Sequence, residues 1–159
     1  MLETLLSYLL VYQYTLLFFA VFFASFGFPI PASALIMAVG AFTVDGYFEL
    51  FPSFSVVLAG VVSGDIIGYI LARQFGKEFF VALRMGRIFQ SEQFIAFEPF
   101  FRKNASMSIF LSRFLITVMG PAVNILSGIA RIPISRFITA DVLGEILYVC
   151  LYGGIGYMF

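Results

Sequence analysis

The 159-residue chain has no histidine, one cysteine and few charged residues. The lack of histidine excludes Ser-His triads, HExxH zinc sites and imidazole proton relays. The single Cys150 leaves no partner for a disulfide within the chain and no cysteine-based zinc site. Charged residues are 11% of the sequence with a net charge of zero, which gives no basic surface for nucleic acid. We therefore expect no cofactor, no metal and no nucleic-acid partner, and we do not expect an enzyme.

Apolar residues, by contrast, are in excess. They make up 62% of the sequence, with 22 Phe and 8 Tyr, against roughly 45–50% in a soluble domain. A small fold exposes most of its residues, so a soluble chain of this length cannot hide that much apolar surface. The composition predicts an integral membrane protein. The N-terminus carries Glu3 and no basic residue, so we expect it to be retained rather than cleaved.

Hydropathy predicts a single all-α polytopic membrane domain over residues 1–159. Long apolar runs predict crossing helices, and proline-broken runs too short to cross predict re-entrant hairpins. The predicted order is a crossing helix at 4–28, a re-entrant hairpin at 29–42, a crossing helix at 53–73, a basic amphipathic segment at 74–104, a re-entrant hairpin at 105–130 and a crossing helix at 134–159. Hairpin breaks are predicted at Pro29, Pro31, Gly40, Gly120, Pro121 and Gly128.

The charge distribution predicts an orientation and an internal repeat. Six of the nine basic residues lie between residues 73 and 103, and basic loops favour the cytoplasm. The N-terminus and the basic segment are therefore both predicted on the cytoplasmic side of the cell membrane. Each half then consists of a hairpin followed by a helix, entering from opposite faces. Such inverted repeats with broken helices are typical of secondary transporters.

Charges inside the apolar runs indicate candidate site residues. Asp65, Arg113, Asp141 and Glu145 lie in predicted membrane segments, where an ionised group costs about 2.5–3.5 kcal/mol. Asn124 adds a donor and an acceptor. We predict that these five bind substrate, with Arg113 and the hairpin helix N-termini attracting an anionic head group. Buried carboxylates can also exchange protons. The alternative is a structural ion pair, such as Asp65–Arg113, that only holds the two halves together.

Three stretches resemble the DedA family of membrane proteins, which carries the VTT domain: FPIPASALIMAVGAF from residue 28, GDIIGYILARQFGKEF from residue 64, and FLSRFLITVMGPAVNILSGIARIPISRF from residue 110 onwards. The resemblance implies two re-entrant hairpins in an inverted repeat. It also implies membrane lipids as partners, with a flippase or scramblase moving polyprenyl-phosphate carriers or phospholipids between leaflets, with or without proton coupling.

The resemblance assigns Arg113 to the family's arginine at the start of the second hairpin, and the chain departs from the family elsewhere. Met119 stands in place of the second arginine, and Ala24, Ser25 and Ser33 occupy the region of the first-hairpin acids. Either one of the buried acids carries protons instead, or coupling is absent. Two other functions stay open: a proton-coupled small-solute or ion transporter, and a non-transporting membrane-organising protein.

Overall fold

Every regular element is a helix in residues 2–82, 84 and 86–159, the part of the chain that the computed structural model describes. The predicted segments also include residues 1, 83 and 85, which lie outside the described part of the chain. In chain order the elements are α1 (Leu2–Phe26), α2 (Ala32–Val44), α3 (Leu50–Ala82), α4 (Gly86–Gln90), α5 (Glu92–Lys103), α6 (Ala105–Phe114), a 3₁₀ turn (Thr117–Met119), α7 (Gly120–Ile129) and α8 (Ile134–Met158). The all-α class is confirmed.

Two of the described helices, α3 and α8, are long and apolar enough to cross a membrane. They correspond to the crossing helices predicted at 53–73 and 134–159. The chain turns within α3 at Gly76, where φ is 72° and ψ is −166°. This backbone region is almost restricted to glycine. The turn leads the chain away from the crossing part of α3 into the basic segment.

The first hairpin is larger than the sequence predicted, because α1 runs parallel to α3. Gly60 of α3 packs against Phe18, and one turn later Gly64 packs against Phe22. Both helices therefore advance in the same direction. The end of α1 lies near the middle of α3, so α1 does not accompany α3 along its whole length. The predicted placement of the N-terminus and the basic segment on one side requires residues 4–28 and α3 to run in opposite directions, and these contacts do not fit that arrangement.

The helix α2 runs back toward the middle of α1, so the loop that follows α2 lies beside Gln13 and Tyr14. Gln13 Nε2 donates a hydrogen bond to the carbonyl of Tyr47 (3.3 Å), and the N–H of Glu49 donates to the hydroxyl of Tyr14 (3.2 Å). Residues 13–44 are thus one hairpin, and residues 29–42 supply one arm of it rather than a whole hairpin.

The tips of both hairpins are short non-α segments, and two of the six predicted breaks lie in them. Pro29 and Pro31 lie in the first tip, where Pro31 immediately precedes α2. In the second hairpin, predicted at 105–130, the α-helix stops after Phe114 and α7 begins at Gly120. Pro121 lies in the first turn of α7, where a helix tolerates the missing N–H of proline. The second break therefore precedes Gly120 and Pro121.

Each hairpin places its two arms on different long helices. The first arms pack on the long helix of their own half, α1 on α3 and α6 on α8. The second arms pack on the long helix of the other half, α2 on α8 and α7 on α3. An inverted repeat would give this pattern, and the repeat itself stays a prediction.

Gly40 and Gly128 are not hairpin breaks, because both lie inside helices. A Cβ on Gly40 would meet the backbone of Gly153 in α8, and a Cβ on Gly128 would meet the backbone of Tyr69 in α3. The two glycines share one role in the two halves: they let the second arm approach the other half's long helix at backbone distance.

The basic segment lies at the end of α3 that is opposite to Gln13 and the loop after α2. Its helix α5 is amphipathic, with Phe94 and Phe101 buried and Arg102 paired with Glu98 on the outside at 2.8 Å. Because the described start of α1 lies at the other end of α3, the predicted placement of the N-terminus beside the basic segment does not fit these contacts.

Substitution of Gly128 by Ala is expected to destabilise the fold by about 1–3 kcal/mol, because the new methyl group overpacks the α7–α3 contact. Gly154 in α8 is the control, since a Cβ there meets nothing within 4 Å. Thermal unfolding in detergent measures the difference. An equal midpoint for the Gly128→Ala and Gly154→Ala proteins would contradict the assigned contact.

Single-cysteine labelling tests the parallel arrangement of α1 and α3. In a Cys150→Ser background, cysteines at Tyr12 and Asp45 should react with an impermeant maleimide from one side of the membrane, and a cysteine at Arg87 from the other. Labelling of positions 12 and 87 from the same side would contradict the parallel arrangement and support the one predicted from the sequence.

Candidate functional site

The five predicted site residues meet at the centre of the bundle. Asp65 comes from the middle of α3, Asp141 and Glu145 from α8, Arg113 from the end of α6, and Asn124 from α7. All five are buried. Glu145 lies eleven residues into the 25-residue α8, about 16 Å along its axis. The cluster therefore lies near mid-depth of the helices that cross the membrane.

Arg113 makes ion pairs with all three carboxylates. Its Nη2 lies 2.6 Å from Asp141 Oδ1, its Nη1 lies 3.7 Å from Asp65 Oδ1, and its Nε lies 3.8 Å from Glu145 Oε1. The predicted Asp65–Arg113 pair is present, but the contact with Asp141 is the closest. Arg113 thereby connects the second hairpin to both long helices.

Asn124 adds neutral hydrogen bonds within the same cluster. Its Oδ1 accepts a hydrogen bond from Nη2 of Arg113 (2.6 Å), and its Nδ2 donates to Asp65 Oδ1 (2.7 Å). Nη1 of Arg113 also donates to the carbonyl of Gly120 at 3.4 Å, at the start of α7. These bonds direct both terminal nitrogens of the guanidinium at protein acceptors.

The cluster has more negative than positive groups. Three ionised carboxylates against one guanidinium would leave two negative charges uncompensated in a low-dielectric interior, which is costly. Asp65 Oδ2 and Glu145 Oε2 are buried and make no hydrogen bond within the described part of the chain. Additional positive charge at these oxygens, as protons or as a cationic group, would reduce this imbalance.

A cavity of about 410 Å³ lies between the two hairpin tips. The charged part of its wall is Asp65, Arg113 and Glu145, and the tips contribute apolar residues such as Phe28 and Val118. Phe28 is 51% exposed and Val118 is 86% exposed. The cavity thus combines a charged inner wall with an apolar rim, as an amphiphilic ligand requires.

One further contact at the cavity was not predicted from the sequence. The hydroxyls of Ser33 and Tyr148 share a hydrogen bond of 2.9 Å, which ties the start of α2 to α8. Tyr148 lies three and seven residues after Glu145 and Asp141, so helical spacing could have identified it. At the basic end, Tyr69 donates to the carbonyl of Ile132 (2.5 Å) and accepts from Arg73 (2.5 Å).

The three acids are also the residues that could hold a metal ion. One oxygen from each of Asp65, Asp141 and Glu145 lies within 4.8 Å of the others. The guanidinium of Arg113 contacts the same three groups, so it already supplies one positive charge to them. The donor set permits a hard cation and does not require one.

Comparison with known proteins agrees with this architecture. The VTT domain matches residues 28–158. An uncharacterized membrane protein of Synechocystis is 25% identical over 158 residues, covering 98% of this chain and 71% of that protein. The protein DedA of Escherichia coli K12 is 26% identical over 134 residues, covering 82% of this chain and 59% of DedA. No solved structure matches the chain.

The helical fold and the buried charged site define a membrane protein of a transporter-like class. The chain belongs to the DedA family of VTT-domain membrane proteins, because the domain match covers most of its length. The resemblance identified from the sequence is confirmed.

Removal of the guanidinium by Arg113→Ala is expected to cost about 3–5 kcal/mol of stability, because it leaves three buried acids without their cation. Adding Asp141→Asn to this protein should recover part of the loss. Arg136→Ala, on an exposed residue, is the control. Thermal unfolding in detergent reports all three. An Arg113→Ala midpoint equal to that of the control would show that the ion pairs contribute no net stability.

Proposed function

We propose that the protein moves lipids between the two leaflets of the cell membrane, as a flippase or scramblase. The observation that carries the proposal is the cavity between the hairpin tips, whose inner wall is charged at the depth where hydrocarbon opposes a polar head group. A head group crossing there exchanges water for fixed polar groups, while its acyl chains stay at the apolar rim. The DedA family membership supports the same class of activity.

The charge of the site favours a phospholipid over a polyprenyl phosphate as the substrate. The terminal nitrogens of Arg113 already contact protein acceptors, whereas Asp65 and Glu145 offer buried oxygens without hydrogen-bond partners. A phosphate monoester would add negative charge beside three carboxyls. A head group that carries an ammonium would add positive charge and N–H donors to the same oxygens. This proposal differs from the expectation that Arg113 and the hairpin helix N-termini attract an anionic head group.

Proton coupling fits the same imbalance of charge. Protons on the acids would neutralise the cluster when no ligand is present, and their release would accompany arrival of a cationic head group. Asp65 and Glu145 are the proposed proton carriers, because both line the cavity. The chain lacks histidine, so these carboxyls are the groups available for the task.

The arrangement in the membrane follows from charge and contacts together. We propose that the basic segment after α3 faces the cytoplasm, in accordance with the preference of Lys and Arg for that side. The loop with Asp45 and Glu49 then faces outward. The first 72 residues contain no Lys or Arg, so an outward start of the chain satisfies the same preference.

The lack of a histidine base supports a role without enzymatic chemistry.

A non-transporting organising role is the second candidate, and one observation favours it. The ion pairs of Arg113 join the second hairpin to both long helices, which is what a purely structural cluster would do. A transporter of small cations is a third candidate, supported by the spacing of the three acids. Flux assays separate these candidates.

Vesicles that contain the purified protein should exchange labelled phosphatidylethanolamine between leaflets faster than empty vesicles. Labelled polyprenyl phosphate and a soluble cation are measured in parallel. Glu145→Gln keeps the shape of the side chain and should slow phospholipid exchange about tenfold or more, because an interaction with a charged group worth about 1.5–3 kcal/mol is weakened.

Glu98→Gln is the matched control, since Glu98 lies on the outer face of α5, away from the cavity. Failure to accelerate any lipid over empty vesicles would reject the proposal. Cation flux without lipid exchange would favour the third candidate, and the absence of both would favour the organising role.

A further inference from the structure

A second concave surface lies on the outside of the bundle between α6 and α8, and we call it the α6–α8 groove. It has a volume of about 640 Å³ and is separate from the cavity between the hairpin tips. Its walls include Ser106, Met107 and Phe110 from α6, and Arg136, Thr139 and Leu143 from α8. None of the five residues of the central cluster lines it.

The α6–α8 groove is shallow, and the two helices are in close contact at Gly144, beyond its inner end. A Cβ on Gly144 would lie 2.8 Å from the carbonyl oxygen of Phe110 and 2.7 Å from Cγ of Arg113. Both helices run from the basic end of the bundle toward this contact. The groove therefore extends from its open end at the basic end of the bundle toward the contact at Gly144 near mid-depth.

Polarity changes along the groove in the direction that a lipid molecule requires. The polar residues of the wall lie near the helix starts, beside the apolar Met107; they are Ser106, Ser135, Arg136 and Thr139. The residues closer to the contact at Gly144 are apolar, and Leu143 is 56% exposed there. A lipid lying in the groove would place its head group at the open end and an acyl chain beside Leu143.

The open end is positively charged. No Asp or Glu occurs between Glu98 and Asp141, and Asp141 belongs to the central cluster. Lys103 ends α5, two residues before the start of α6, and Arg136 is exposed at the start of α8. Arg136 makes no ion pair within the described residues, so its guanidinium is available to an anionic ligand.

We propose that the α6–α8 groove is a binding site for one phospholipid with a net-negative head group, with its phosphate at Arg136 and an acyl chain along Phe110 and Leu143. The site is independent of the central cavity, whose excess of carboxylates disfavours the same lipid. The proposal requires binding only, so it stands or falls separately from lipid transport.

Native mass spectrometry of the full chain in detergent tests the site, with phosphatidylglycerol and phosphatidylcholine as the added lipids. One phosphatidylglycerol should be retained in preference to phosphatidylcholine. Arg136→Gln should weaken that retention about fivefold, the effect of one basic side chain on an anionic lipid. Arg87→Gln, a second exposed basic residue outside the groove, should leave it unchanged.

The acyl part of the site is tested by Leu143→Trp, which fills the apolar end of the groove. Leu147→Trp is the matched control, because Leu147 is exposed on α8 one turn further along and does not line the groove. Retention should fall for the first substitution only. Equal retention of both lipids, equal effects of the Arg136 and Arg87 substitutions, or displacement by millimolar inorganic phosphate would overturn the proposal. Thermal midpoints measured without added lipid show whether each variant is folded.

Discussion

The structure depends on placing one guanidinium among three carboxylates at the centre of an apolar bundle. Each of these charges alone would be expelled from hydrocarbon, and together they are tolerated only if geometry and hydrogen bonds are good. Arg113 meets this condition by extending from the second hairpin to both long helices, with Asn124 filling the space between them. The cluster therefore fixes the relative position of three elements, and every polar feature of the cavity lies around it.

The hairpins make this central position possible. Because the α-helices stop at the hairpin tips, helix ends with their polar backbone groups lie beside the cavity inside the bundle. Such groups are tolerated there only where protein or a polar cavity surrounds them. Both tips face the same cavity, so the polar space lies where the helices are interrupted. Close backbone contacts at Gly40 and Gly128 hold the second arms in place.

The sequence was sufficient for the class of fold and for the composition of the site. Length and hydropathy located α3, α8 and the second hairpin. The high cost of buried charge identified the four charged residues of the cluster, and the hydrogen-bonding capacity of its amide identified Asn124. It was not sufficient for the first hairpin, since the apolar run at 4–28 is long enough to cross and hydropathy does not show that its second half is paired with α2. Nor does hydropathy distinguish a glycine that breaks a helix from one that admits a neighbouring backbone, as at Gly40 and Gly128. These depend on contacts between segments that are distant in sequence.

The exchange of second arms between the halves has a consequence for biosynthesis. Gly40 of α2 contacts Gly153 of α8, so α2 meets its packing partner only after 153 − 40 = 113 further residues have been translated. At about 5–20 residues per second this is an interval of roughly 6–23 s. During that time α2 has been synthesised, but the part of α8 against which Gly40 packs has not. The packing of the first half is therefore complete only after α8 has been translated and inserted.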